Sequence, residues 1–184
     1  MRKVTLLLGG ARSGKSQFAQ ELAHKAAGKV LFVATATAED EDMRLRILKH
    51  RSERPASWRT LEVPLNIGPA IKQGIGETEL VVIDCITLLI NNIFCRFDQS
   101  QFETIEDSVL GDQVAAEIQE LVKCIETTPG SYIIVSNEVG LGLVPDNRMG
   151  RLYRDFLGRA NQTLARCADE VYLMVAGIPL RVKP

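Results

Sequence analysis

The segment from Gly9 to Ser16 reads G-G-A-R-S-G-K-S, which fits the phosphate-binding pattern G-x-x-x-x-G-K-[ST]. The apolar run Val4–Leu8 before it is typical of a buried strand, and residues Gln17 to Ala27 after it are typical of a helix. Such a loop joins a strand to a helix and directs backbone N–H groups at a phosphate, so this order predicts an α/β fold with a nucleotide site. The alternative is a glycine-rich turn that binds no ligand.

Different groups of the loop are expected to serve different parts of a triphosphate. Lys15 is predicted to bring positive charge to the β- and γ-phosphates, and the Ser16 hydroxyl to bind Mg²⁺. The helix that follows adds the positive N-terminal end of its dipole. The predicted nucleotide contacts of the loop are Gly9, Gly10, Ala11, Arg12, Ser13, Gly14, Lys15 and Ser16.

Further apolar segments predict the strands of one sheet. They are residues 30–34, 80–84, 131–136 and 170–175, with a short strand at 58–63. Most are continuous apolar runs, which is typical of parallel strands covered on both faces. Helices are predicted at 86–95, 102–126 and 147–168, and the end of the chain predicts a hairpin with an antiparallel edge strand. We therefore predict a three-layer α/β fold of the P-loop NTPase type, with a mostly parallel central sheet and a single domain over residues 1–184.

The composition of the chain argues against several classes of binding partner. Lys plus Arg number 22 and Asp plus Glu number 23, so no overall positive field favours a nucleic acid or an anionic membrane. No segment approaches the ~18 consecutive apolar residues of a membrane span. The four cysteines lack paired or metal-ligand spacing, which favours reduced thiols in a cytoplasmic protein.

Two side chains beyond the loop are candidates for the chemistry. His50 is predicted to share a helix face with Met43 and Ile47, and Pro55 must end that helix. An ordinary amphipathic helix with a basic C-terminal end is the alternative. Asp84 ends an apolar strand, where P-loop proteins commonly carry an acidic residue that helps to hold Mg²⁺. Its alternative role is the N-cap of the next helix.

The long connection from Ser136 to Pro145 is a candidate for part of a substrate site. It follows the strand predicted at 131–136. In open α/β sheets, the loops at the carboxyl ends of the strands line the ligand crevice. A plain connection is the alternative.

Several segments in collinear order carry a family resemblance. They are the phosphate loop, Ala34-Thr35-Ala36, His50 with Arg54-Pro55, Trp58-Arg59-Thr60 and Glu62, Asp84-Cys85-Ile86-Thr87, Asn137-Glu138-Val139-Gly140, Val144-Pro145 with Asn147-Arg148, Arg154-Asp155, Asn161-Gln162, and Ala168-Asp169-Glu170-Val171. Together they resemble the bifunctional adenosylcobinamide kinase/adenosylcobinamide-phosphate guanylyltransferase family of cobalamin biosynthesis. The phosphate loop alone is generic, whereas the His50 segment and the N-E-V-G loop are specific to this family.

The resemblance implies two reactions. ATP or GTP phosphorylates the aminopropanol hydroxyl of adenosylcobinamide, and GTP then transfers GMP to that phosphate with release of pyrophosphate. The resemblance implies that His50 carries the guanylyl group. Lys15 is the other predicted catalytic residue, because of the charge that it brings to the phosphates. His24 is predicted on the polar, exposed side of the first helix and is not a plausible substitute.

The resemblance also implies the ligands of the site. Ser16 and Asp84 are the expected Mg²⁺ ligands, and GTP and ATP are the expected nucleotides. Outside the loop, the implied nucleotide contacts are Thr35, Ala36, Thr37, Arg51, Ser52, Glu53, Arg54, Glu62 and Asp84. The expected partner is a small-molecule corrinoid, and the same resemblance suggests a homo-oligomer, a trimer. The resemblance does not locate the corrinoid; our own hypothesis places it against the loop from Asn137 to Pro145 and the helix after it.

Two other functions are compatible with a phosphate loop. A simple small-molecule P-loop kinase would use His50 only as a substrate contact, without a covalent intermediate. A GTP-binding regulatory protein usually reads guanine with an N-K-x-D motif, which this sequence lacks.

Overall fold

A sheet of seven strands forms the centre of the computed structural model. The structure describes residues 2–26, 28–38, 41–52 and 54–184, apart from the side chains of residues 42, 46 and 99. The strands are β1 (Val4–Gly9), β2 (Val30–Ala34), β3 (Arg59–Glu62), β4 (Leu80–Asp84), β5 (Ser131–Val135), β6 (Glu170–Val175) and β7 (Ile178–Lys183). Their spatial order is β3-β2-β4-β5-β1-β6-β7. All neighbouring pairs are parallel except β6 and β7, which confirms the predicted antiparallel edge strand.

Helices cover both faces of this sheet. They are α1 (Lys15–Ala26), α2 (Glu41–Ser52), α3 (Ile67–Gly74), α4 (Ile86–Phe94), α5 (Asp107–Thr127), α6 (Arg148–Cys167) and a 3-10 helix (Gln99–Glu103). One apolar core joins the strands to α3, α4, α5 and α6, and a second joins the opposite face to α1. Because successive strand residues point to opposite faces, both faces being apolar explains the continuous hydrophobic runs.

The predicted helix over 102–126 is wrong at its start. The α-helix α5 begins at Asp107, and residues 99–103 form the separate 3-10 helix. The side chain of Gln101 accepts a hydrogen bond from the backbone N–H of Asp98 at 2.7 Å, which closes a capping box around this turn. A self-contained capped turn therefore interrupts the apolar periodicity that favoured one long helix.

The α2 helix lies outside both cores. None of its described side chains is buried, and its apolar residues Leu45 and Leu48 are exposed. It follows the carboxyl end of β2, which is the same sheet edge as the loops after β1, β4 and β5 because these strands are parallel neighbours. This edge carries the candidate site. In the described residues, no helix combines the length and apolar character that crossing a membrane requires.

Candidate active site

The phosphate loop is held in shape by its own lysine. Lys15 Nζ donates hydrogen bonds to the carbonyl oxygens of Gly9 and Gly10 at 3.0 and 2.6 Å. Burial lowers the pKa of Lys15, although the nearby Cys85 and Asp84 oppose that shift. The loop also requires glycine, because Gly14 has a φ of 93° in the left-handed region.

The C-terminal hairpin supports this loop from outside. The backbone N–H of Gly177, in the β6–β7 turn, donates to the Ser13 carbonyl at 3.0 Å. A Cβ on Gly14 would lie only 3.2 Å from Gly177 Cα, so the two turns are in close contact. The Ser13 hydroxyl is buried and has no hydrogen-bond partner in the part of the chain described, which fits a loop that binds a polar ligand. The sequence contains no local signal for this contact.

Ser16 and Asp84 come together at the end of β4. The Ser16 hydroxyl hydrogen-bonds to the Asp84 carboxylate. Burial raises the pKa of Asp84, while this hydrogen bond and the charges of His50, Arg54 and Lys15 oppose the rise. Among the described residues, no group of three or more His, Cys, Asp or Glu side chains could form a dedicated metal cage. One carboxylate beside one hydroxyl fits Mg²⁺, which takes its other ligands from water and substrate phosphates.

The alternative role of Asp84 as a helix N-cap is wrong. Cys85, not Asp84, occupies the N-cap position of α4. The Asp84 carboxylate faces the ligand cavities instead, together with Ser16 and His50.

The variant Asp84→Asn should raise the stability of the ligand-free protein by about 1 kcal/mol, or ~2–4 °C in Tm, because an amide avoids burying a charge. The pKa of Asp84 is raised in the folded state. The wild-type penalty is therefore complete above that pKa and disappears as the pH falls towards the unfolded value. Thermal unfolding of both proteins at neutral and acidic pH checks this, and a difference in Tm that grows on acidification would contradict it.

His50 stands at the boundary between two cavities. The first, of about 800 Å³, follows the phosphate loop from Ala11 to Gln17 and ends at His50. The second, of about 490 Å³, lies beneath α2. His50 and Asp84 line both, and Met43 and Ile47 line the second, so the predicted shared face of the helix is confirmed.

The second cavity contains a desolvated cation and a carboxylate. The Arg54 guanidinium lies over the Phe32 ring, 3.8 Å from its centroid. Its Nε and Nη1 atoms are buried without a hydrogen-bond partner in the described structure, and burial lowers the pKa of Arg54. Arg51 forms an ion pair with Glu62 at 3.0 Å. The cavity can therefore accept a ligand with both an anionic part and hydrogen-bond donors.

The segment that follows β2 is held in place by Asn92, a residue that the sequence analysis did not identify. Asn92 Nδ2 donates to the carbonyl oxygens of Thr35 and Pro64 at 2.8 and 2.9 Å. Its Oδ1 accepts from the Thr37 hydroxyl at 3.2 Å. The signal in the sequence was a pair of asparagines, Asn91 and Asn92, inside the mainly apolar segment of α4. These contacts hold the segment that carries Ala36 into the second cavity.

Only some of the other implied nucleotide contacts line the second cavity. Ala36, Arg51, Arg54, Glu62 and Asp84 line the second cavity. Ser52 is exposed, lines neither cavity, and donates its hydroxyl to the Lys49 carbonyl at 2.8 Å. Thr35 is buried and donates to the Cys85 carbonyl at 2.7 Å. Glu53 lies outside the described residues.

The loop after β5 begins inside the site. The backbone N–H of Asn137 donates to the Thr87 hydroxyl at 2.8 Å, and that of Glu138 donates to the Gly9 carbonyl at 3.0 Å. Asn137 lines both cavities. Of residues 136–145, only Asn137 lines these two cavities, and the role of the loop in a substrate site stays a prediction.

Two solved structures have a similar fold. The RadB recombinase matches over 93% of this chain and 73% of its own, with a TM-score of 0.51 and 14% identity. A prototypical ATPase from the type III secretion system of pathogenic bacteria matches over 93% of this chain and 50% of its own, with a TM-score of 0.55 and 12% identity. These similarities establish the P-loop NTPase fold alone.

Similarity in sequence identifies the family as well as the fold. The bifunctional adenosylcobalamin biosynthesis protein CobU of Escherichia coli (strain K12) is 37% identical over 97% of this chain and 98% of its own length. CobU of Salmonella typhimurium is 38% identical over 97% and 98%. CobP of Pseudomonas aeruginosa, with the same description, is 38% identical over 97% and 96%. The family described as cobinamide kinase / cobinamide phosphate guanyltransferase matches residues 5–182, and the chain belongs to that family.

Proposed function

We propose that one nucleotide site, between the phosphate loop and His50, carries out both reactions of this family. The observation that supports it is the position of His50, which borders the loop cavity and the second cavity and lies close enough to Asp84 for their charges to interact. A triphosphate spanning both cavities would present its γ-phosphorus to one acceptor and its α-phosphorus to His50.

In the kinase step, the aminopropanol hydroxyl of adenosylcobinamide attacks the γ-phosphorus of ATP or GTP. A new P–O bond forms, the bond to the β,γ-bridging oxygen breaks, and the hydroxyl proton passes to water in the open cavity. Lys15 and the loop N–H groups stabilise the charge on the transferred group. Ser16 and Asp84 would hold Mg²⁺, which neutralises phosphate charge.

In the guanylyl step, the unprotonated ring nitrogen of His50 attacks the α-phosphorus of GTP. An N–P bond forms, the bond to the α,β-bridging oxygen breaks, and pyrophosphate leaves. A phosphate oxygen of adenosylcobinamide phosphate then attacks the same phosphorus, the N–P bond breaks, and adenosylcobinamide-GDP forms with the neutral imidazole restored. Imidazole suits this role because it is partly neutral near pH 7.

The second cavity is the proposed seat of the nucleoside. The Glu62 carboxylate can accept hydrogen bonds from the two adjacent N–H donors on the guanine edge. Arg54, whose Nε and Nη1 atoms are buried with no partner among the described residues, can donate to an α-phosphate oxygen. These contacts would favour GTP in the guanylyl step, where the base must be held while the phosphorus reacts.

We also propose that the protein acts in the cytoplasm as a homo-oligomer, a trimer by family resemblance. The exposed apolar side chains of the C-terminal hairpin support assembly: Val175, Ile178, Leu180 and Val182. They lie on or beside β7, whose outer edge has no neighbouring strand in the described sheet.

An assay with GTP, Mg²⁺ and adenosylcobinamide tests the function directly. We expect GDP from the kinase step, pyrophosphate from the guanylyl step, and adenosylcobinamide-GDP identified by mass. GTP with adenosylcobinamide phosphate should yield pyrophosphate without GDP. Formation of GDP without pyrophosphate would favour a simple kinase, and slow hydrolysis that ignores the corrinoid would favour a regulatory GTPase.

A further inference from the structure

An aromatic cavity of about 510 Å³ lies beside the nucleotide site. It is formed by α4, the 3-10 helix and the first turns of α6, and its lining residues are Asn91, Phe94, Cys95, Phe97, Phe102, Met149, Gly150 and Tyr153. The rings of Phe94 and Phe102 are nearly parallel with centroids 5.6 Å apart, and Tyr153 meets Phe94 edge-on at 5.4 Å. We call this site the aromatic cavity.

The walls of the aromatic cavity are fastened by polar contacts. The Arg148 guanidinium donates to the carbonyl oxygens of Phe102 and Ile105, the latter at 2.8 Å, and forms an ion pair with Asp107. The Tyr153 hydroxyl donates to a backbone carbonyl at the start of α4 at 2.8 Å. These bonds tie α6, the 3-10 helix and α4 to one another, so the cavity is part of the folded framework.

One face of α4 connects the aromatic cavity to the nucleotide site. Leu88 lines the second nucleotide cavity, while Asn91 and Cys95 line the aromatic cavity. Residues at i, i+3 and i+7 share a helix face, and Cys95 directly follows the last helical residue. At 1.5 Å per residue, Leu88 and Cys95 are separated by about 10 Å along the helix axis.

The size of the substrate argues that its ring lies outside the nucleotide cavities. In the proposed function the nucleotide occupies both nucleotide cavities, since cavities of about 300–1,000 Å³ hold a ligand of that size. The corrin macrocycle is a second, larger ligand that must lie elsewhere, and it reacts only through a flexible aminopropanol arm. The arm can enter the site while the ring stays at a distance.

The chemistry of the aromatic cavity suits such a ring. Its aromatic floor offers apolar surface to a methylated macrocycle, and the Asn91 side chain can pair with peripheral amides. The loop between β5 and α6, which precedes Met149 in the chain, carries two further apolar side chains, Leu141 and Leu143, that are 83% and 96% exposed.

We propose that one edge of the corrin ring lies in the aromatic cavity and that its aminopropanol arm follows α4 to the nucleotide site. This inference rests on the proposed function of that site.

Cys95 provides a reporter that does not depend on turnover. It is exposed, whereas Cys124 is buried and Cys85 and Cys167 are half-buried. Burial raises the pKa of Cys85 to about 12 and also raises that of Cys167, so both react slowly with a maleimide. Saturating adenosylcobinamide should slow maleimide modification of Cys95 by about tenfold or more, as expected for a site occupied at least ~90% of the time.

The controls separate ring binding from other causes of protection. Neither 1-amino-2-propanol, which lacks the ring, nor GTP with Mg²⁺ should protect Cys95, and peptide mass analysis identifies the modified residue. An unchanged rate at a corrinoid concentration that saturates turnover would overturn the proposed ring site. Guanylylation by GTP needs no corrinoid, so its absence in the wild type would instead overturn the proposed function.

A substitution gives an independent measurement. Met149 is 40% exposed, so Met149→Glu can be accommodated at the surface and should raise KM for adenosylcobinamide about tenfold by placing a charge against the ring. Val109→Glu is the matched control, because Val109 is 44% exposed and lies outside the aromatic cavity. An unchanged KM would contradict the proposal. A change in subunit number for Met149→Glu, measured by light scattering, would assign the cavity to a second copy of the chain and overturn it.

Discussion

The variant His50→Ala should lose guanylyl transfer by at least about 10³-fold while it keeps most of its kinase activity. The imidazole is proposed as the nucleophile towards the α-phosphorus, and no other histidine borders the two described nucleotide cavities. Phosphoryl transfer to a hydroxyl needs no such intermediate. GTP labelled on the α-phosphate should leave an acid-labile label on the wild type and none on the variant, while γ-labelled GTP reports the kinase step.

His24→Ala is the matched control for this experiment. His24 is exposed on α1, its ring lies 5.2 Å from that of Trp58, and it lines neither of the two nucleotide cavities. This variant should label like the wild type. If His50→Ala also labelled normally, the covalent role of His50 would be wrong and the simple kinase would become the better description.

The variant Lys15→Met should lower both reactions, each by about 10²–10³-fold, because the two steps share one set of β- and γ-phosphates. Methionine keeps the aliphatic bulk of the side chain but removes the charge and the donors to Gly9 and Gly10. Steady-state rates of GDP and pyrophosphate formation, each at saturating acceptor, measure the two losses separately. We expect KM for the nucleotide to rise in both assays.

Lys25→Met serves as the reference for Lys15→Met. Lys25 lies exposed in the last turn of the same helix, so Lys25→Met should leave both rates unchanged. Loss of only one activity in Lys15→Met would mean that the two steps use different nucleotide sites, which contradicts a shared loop. The opposite patterns expected for His50 and Lys15 make the pair of variants a direct test of the single-site proposal.

The local sequence was sufficient to predict those elements whose structure depends on residues close by in the chain. The phosphate loop, with its flanking strand and helix, is recognisable from its own glycines, Lys15 and the adjacent apolar runs. The strands followed from their continuous hydrophobicity, because each is covered on both faces. The start of α5 was misjudged, since the capped turn at Asp98 competes locally with helix continuation.

The sequence by itself therefore determined the fold class, the phosphate loop, the strands and the family. Only the tertiary structure decided that Gly177 supports Ser13, that Asn92 fixes the exit of β2, and that His50 borders two cavities. The aromatic cavity likewise appears only when α4, the 3-10 helix and α6 pack together. Periodicity reports which face of an element is buried, whereas contacts between distant segments depend on how the sheet orders its strands and on what each loop then meets.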